Sequence, residues 1–131
     1  MQEGGEEMSE LEIRFWLMVL GHLFADYTLQ GWLANGKQKS WWKNAVPDCK
    51  WLKYRHDYIA ALICHALYWA IIVCLPLYDS QYFSVFILAN AAVHACIDNE
   101  KANVHAINLV QDQLLHVFQI VSTLTMYETF H

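Results

Sequence analysis

Four long apolar stretches run through this chain, and the polar residues that interrupt them recur at helical spacing. Residues 58–78 carry no formal charge, enough at a rise of about 1.5 Å per residue to cross roughly 30 Å of hydrocarbon. Residues 13–34 carry only Arg14 at the edge, His22 and Asp26 as charged or imidazole groups. Residues 81–98 reach Asp98 with His94 inside them, and residues 104–127 hold Asp112, His105 and His116. The pattern predicts helices at about 11–34, 57–78, 81–99 and 104–127 in a single domain, 1–131, with a long connection at 35–56. The fold class expected is all-α, a four-helix transmembrane bundle with both termini on the same side. A soluble four-helix bundle is the competing architecture.

Composition strengthens the membrane reading. Of 131 residues, 56% are hydrophobic and 16% charged, and six are Trp, which is unusually apolar for a soluble chain of this size. The acidic N-terminus, Met1 to Glu12, has no basic flank before the first apolar run, so no cleavable signal is expected. Lys37, Lys39, Lys43, Lys50, Lys53 and Arg55 lie in the long connection and Lys101 between the last two helices. The positive-inside rule puts both loops on the cytoplasmic side, here of a bacterial inner membrane crossed several times. Pro76 closes the second helix before a tight turn at Asp79–Ser80. The long connection mixes its lysines with Trp41, Trp42, Trp51 and Tyr54, as expected of an interfacial belt, with a lid or a phosphate-attracting surface as the functional readings. A net charge of −5 argues against nucleic acid as the main partner. Cys49, Cys64, Cys74 and Cys96 lack a C-x-x-C spacing and read as buried small hydrophobes.

One spacing occurs three times: His22-x-x-x-Asp26, His94-x-x-x-Asp98 and, reversed, Asp112-x-x-x-His116. Residues four apart share a helix face. In apolar surroundings these groups are costly unless they pair, hold a metal or line a wet cavity. The order reverses where the chain direction reverses, so in an up-down bundle each His lies farther from the cytoplasm than its Asp. His65 falls at a comparable depth on the second helix. The expectation is a shared metal centre built from His22, Asp26, His65, His94, Asp98, Asp112 and His116.

Such N/O donors suit a divalent transition metal, one or two ions, with zinc first and manganese or iron as alternatives. Two ions about 3.5–4 Å apart could clamp a phosphoryl or carbonyl oxygen, which favours hydrolysis. Asp26, Asp98 or Asp112 could act as general base where the metal leaves one free, and Lys101 could neutralise an anionic substrate at the mouth, its other reading being a membrane-interface anchor. Gln30, Asn90 and Gln113 could orient the ligands. For Gln30, Asn90, Asn108 and Gln119 the competing role is hydrogen bonding between helices. His105 and His131 read as surface residues, and the adjacent His56 and Asp57 as loop residues.

The succession HLFADYTLQ, GKQK, ICHA, VHACIDNEK and DQLLH, from Gly21 to His116, resembles a family of small phage and bacterial integral membrane proteins of unknown function. That family in turn is similar, in its His/Asp pattern and membrane placement, to membrane-bound metal-dependent hydrolases. The resemblance implies functional positions at His22, Asp26, Gln30, His65, His94, Asp98, Lys101, Asp112 and His116. The function expected is hydrolysis of a phosphoester or other polar ester at a centre open to the cytoplasm. Expected partners are the lipid bilayer and a small polar or phosphorylated substrate, and the apolar faces leave room for a homo-oligomer. Intramembrane His/Asp chains also build proton or metal-ion pathways, and polar residues can simply lock a bundle together as a structural or partner-binding protein.

Overall fold

The computed structural model describes residues 8–130, whose regular structure is entirely helical, with no strand among them. The acidic residues 1–7 and His131 lie outside the described residues. Helix α1 (Glu10–Leu23) continues into a π turn, Phe24–Thr28. Three short helices follow: α2 (Leu33–Gly36), α3 (Lys39–Ala45) and α4 (Trp51–Tyr54). Helix α5 (Asp57–Cys74) ends in a 3-10 turn, α6 (Phe83–Asn99) runs into a second π turn, Glu100–Val104, and α7 (Leu109–Phe130) closes the chain. Each of the four long units extends roughly 30 Å with its appended turn.

They form an up-down-up-down arrangement. Arg14, near the start of α1, donates to Asp79 (2.8 and 3.0 Å) and to the Pro76 carbonyl, while the Tyr127 hydroxyl donates to Asp79 from the end of α7. The α5–α6 turn is thereby tied to the start of α1 and the end of α7. Gly21 allows α1 to come close to α5, because a Cβ there would meet Ile72 Cγ2 at 3.2 Å.

Helix boundaries differ from the sequence expectation in three places. The first helix stops at Thr28 rather than near residue 34; Gly31 then adopts a φ of +51°, which no helix continues through. The connection at 35–56 is folded into short helices. The last helix begins at Leu109 rather than 104, because His105 takes a left-handed φ of 59° and Asn108 then exchanges side-chain-to-backbone hydrogen bonds with Gln111 (both 3.0 Å) in a capping box. All four cysteines are free, but the reading as buried hydrophobes holds only for Cys74; Cys49, Cys64 and Cys96 are exposed.

By length and composition, only the helical segment Asp57–Leu77 among the described residues is apolar enough to cross a membrane. Burial along the other long helices is nevertheless inverted. Trp16, Leu20, Leu88, Leu114 and Phe118 are 54–70% exposed, while His22, His94, Asp98, Asp112 and His116 are at most 1% exposed. An apolar cluster of Met18, Trp69, Val73, Leu77 and Ile120 fills the other part of the interior.

A candidate metal centre of histidines and aspartates

The four long helices bring their polar stripes to one end of the bundle. α1 and its π turn supply His22 and Asp26, α5 supplies His65, α6 supplies His94 and Asp98, and α7 supplies Asp112 and His116. The π turn matters locally. Its extra residue per turn re-aims the backbone where Asp26 sits, and such turns recur at functional sites.

Two trios have ligand atoms close enough to share an ion: Asp26, His65 and His94, and His94, Asp98 and His116. Around the first, His65 Nε2 is 3.3 Å from Asp26 Oδ1 and from Asp98 Oδ2, and 3.1 Å from His94 Nε2. Around the second, His116 Nε2 lies 3.6 Å from Asp98 Oδ1 and 3.5 Å from Asp112 Oδ1. His94 and His116 stack with centroids 4.2 Å apart, and Trp69 stacks on His94 at 4.1 Å and lies tilted against His116 at 5.5 Å.

Hydrogen bonding fixes which imidazole nitrogens are free. The Tyr68 hydroxyl donates to the Ala25 carbonyl (3.0 Å), so its oxygen accepts from His65 Nδ1–H (2.9 Å). In the neutral ring, His65 Nε2 then carries the acceptor lone pair and faces two carboxylate oxygens. Gln30 Nε2 lies 3.3 Å from it. His22 is the opposite case. Trp69 Nε1–H donates to its Nδ1 (3.0 Å), which leaves its Nε2–H to donate to Gln113 Oε1 (3.0 Å). Both His22 nitrogens are used, and His22 belongs to neither trio.

Gln113 carries this order onward, donating to Asp112 Oδ2 at 3.0 Å and, more weakly, to Asp26 Oδ2 at 3.5 Å. Asp112 also lies outside the trios. Lys101 Nζ donates to its Oδ2 at 2.5 Å, and Lys37 Nζ donates to Asp98 Oδ2 at 2.5 Å. Asn90 takes the interhelical role of its two expected ones. It bonds to Thr123 (2.9 Å), to the Phe86 carbonyl (2.9 Å) and to Gln119 (2.8 Å), one turn away from His94, and so holds α6 against α7 instead of orienting the centre.

The arrangement fits a cation on its own terms. Asp26 Oδ1, Asp112 Oδ1, His94 Nδ1 and both His116 nitrogens are buried without a hydrogen-bond partner. Buried polar atoms are nearly always satisfied, so a cluster of unpartnered carboxylate oxygens and imidazole nitrogens marks a missing partner. Imidazole and carboxylate donors without thiolate match a borderline divalent ion. These clusters could hold one, and nothing in the donor set chooses its identity.

Lys37 is the residue that sequence reasoning placed elsewhere. It was grouped with the loop lysines, yet it is only 4% exposed and reaches the centre from the end of α2. Trp69 and Tyr68, which fix two imidazoles, were likewise indistinguishable from the other helix aromatics. Lys37 and Lys101 both line a cleft of about 250 Å³ with Gln30 and His105, which opens over the centre.

The chain belongs to the DUF3307 family, described as proteins of unknown function, whose model matches residues 14–131. No curated protein and no solved structure matches it.

Proposed function

We propose that this DUF3307 protein is a four-helix membrane bundle whose His/Asp centre binds one divalent transition metal, zinc first, and hydrolyses a phosphoester or other polar ester supplied from the cytoplasm. The observation that supports the metal is the convergence of imidazole and carboxylate atoms of Asp26, His65, His94, Asp98 and His116 at one end of the bundle, with Asp26 Oδ1 and His116 Nε2 buried and without a hydrogen-bond partner. The membrane part rests on the inverted burial of all four long helices, with large apolar side chains outside and ionisable ones inside.

Charge favours one ion over two. Asp26, Asp98 and Asp112 carry three negative charges against the two positive charges of Lys37 and Lys101. One divalent ion leaves a net charge of one positive in a buried site, whereas two leave three, which is costly to bury. The two trios also share His94. Asp26, His65, His94, Asp98 and His116 are the holding residues in this reading.

A bound ion would supply Lewis-acid polarisation of the ester and of a water molecule. The chain's own groups complete the reaction, in which water adds to the ester and an alcohol leaves. Asp112, outside the trios and held through Oδ2 by Lys101 and Gln113, offers its unbonded Oδ1 to take the proton from water. Lys101 and Lys37, at the floor of the cleft, meet the anionic end of the substrate. Trp69, fully buried and stacked on His94, closes the centre toward the apolar half. That plug speaks against a route for ions through the bundle.

Elemental analysis of the full chain in mild detergent tests the reading. One equivalent of transition metal is expected in the wild type and none in His94→Ala, with ester hydrolysis following metal content. A folded wild-type protein that takes up no zinc, manganese or iron would sink it.

A further inference from the structure

The basic connection holds a second concave feature that the centre does not use. On α3, Lys39 and Lys43 stand one turn apart, and with Ser40, Trp51, Asn103 and His105 they line a cleft of about 260 Å³. It adjoins the cleft over the centre, with which it shares Ala102 and His105. No carboxylate lines it, and among the described residues neither lysine forms an ion pair. Like charges one turn apart repel, a small cost that a bound anion would offset.

The segment is nevertheless held in place. Asn103 Oδ1 accepts from the Lys39 amide (2.7 Å) while its Nδ2 donates to the Lys37 carbonyl (3.0 Å). Trp42 Nε1–H donates to the Gly36 carbonyl (2.6 Å), and the Trp42 ring stacks on Tyr54. His105, at the junction of the two clefts, keeps the left-handed backbone that turns the chain from α6 into α7. A hydroxyl, an indole wall and two ammonium groups without a carboxylate partner, that of Lys39 lying over the Tyr58 ring at 6.0 Å, make a recognition surface for an oxyanion in a fastened concavity.

We propose that this cleft binds a phosphate group of the substrate while the bond to be cut lies in the adjoining cleft over the His/Asp centre. The substrate class is then a phosphorylated molecule with a charged group beyond the reacting ester. The binding of phosphate stands on the cleft alone; its connection to hydrolysis rests on the metal-centre reading. A soluble phosphate ester and a phosphorylated lipid headgroup share this chemistry.

Calorimetric titration of inorganic phosphate into the full chain, in phosphatidylcholine nanodiscs with chelator present, separates the two readings. Saturable binding is expected for the wild type and equally for His94→Ala, about tenfold or more weaker for K39Q/K43Q, and recovered in K39R/K43R. Nanodiscs containing phosphatidic acid distinguish the sources. Suppression of the phosphate heat there identifies a lipid headgroup as occupant, and an unchanged heat identifies a soluble one. Absence of phosphate binding in phosphatidylcholine discs, or equal affinity in wild type and K39Q/K43Q, would overturn the proposal. Phosphate binding without metal uptake would instead remove the hydrolase and leave the anion site standing.

Discussion

Replacing Lys37 by Met separates a buried structural ion pair from a metal centre that the lysine partly occupies. Lys37 Nζ sits 2.5 Å from Asp98 Oδ2, and both side chains are at most 5% exposed. Removing one partner of such a pair leaves the other charge buried and costs about 3–5 kcal/mol. Metal binding should move the other way. His65 Nε2 is 3.3 Å from the same Asp98 oxygen, so an ion among these donors would lie roughly 5 Å from the ammonium. At an effective dielectric of about 20, each unit of the ion's charge then feels about 3 kcal/mol of repulsion. Because the lysine can swing toward the cleft, only part of this is realised, and an affinity gain of about tenfold to a hundredfold is expected for Lys37→Met. The assays are thermal unfolding in detergent with chelator and with zinc, and competition of zinc against a chromophoric chelator. The variant should melt well below the wild type without metal and regain most of the difference with it. Unchanged or weaker zinc affinity in a folded Lys37→Met protein would refute the reasoning and leave Lys37 as a structural counter-ion.

His22→Ala should retain the metal stoichiometry and weaken affinity by about 10–100-fold, as expected of a group that orients ligands, whereas His94→Ala should lose the ion; equal loss in both would make His22 a ligand. At the opposite end, the Arg14 guanidinium holds the Asp79 carboxyl below its usual range. A lowered folded value means the linked stability is present above the ordinary carboxyl range near pH 4 and is lost as pH falls through the lowered value. Melting temperature followed into acid should therefore drop more steeply for the wild type than for Asp79→Asn, and parallel curves would remove this contact from the acid response.

The helices and the polar centre were legible in the sequence for the same reason. Three i, i+4 pairs in apolar runs fix both the helical period and the face turned inward, and their reversal on α7 follows from chain direction. Gly31 and the Asn108–Gln111 box set boundaries that hydropathy alone overran, because a positive φ and a cap are local backbone matters invisible to an apolar average. The short helices of the connection carry no strong period and owe their shape to anchors such as Asn103 and Trp42. Lys37 escaped notice because nothing in GKQK distinguishes a lysine that turns inward from its neighbours. Whether His22 or His65 has a free nitrogen depends on Trp69, Gln113 and Tyr68, contacts made only once the helices have met.

The placement of the centre at one end of the bundle also bears on what it can do. The ionisable groups of the centre end at Trp69, beyond which Met18, Val73, Leu77 and Ile120 are wholly buried. The Asn90–Gln119–Thr123 cluster continues the polar character of α6 and α7 for a turn, but its hydrogen bonds run between those two helices and to their backbones, not to the centre. An ion crossing the bundle would have to shed its ligands into this apolar half, where unpaired charge is very costly. A substrate that enters and leaves by the same cleft meets no such barrier. One-ended access, lysines at the floor and a second basic cleft beside the entrance are the requirements of a reaction on an anion delivered from one face, and they are why chemistry, not passage, is the stronger reading of these histidines.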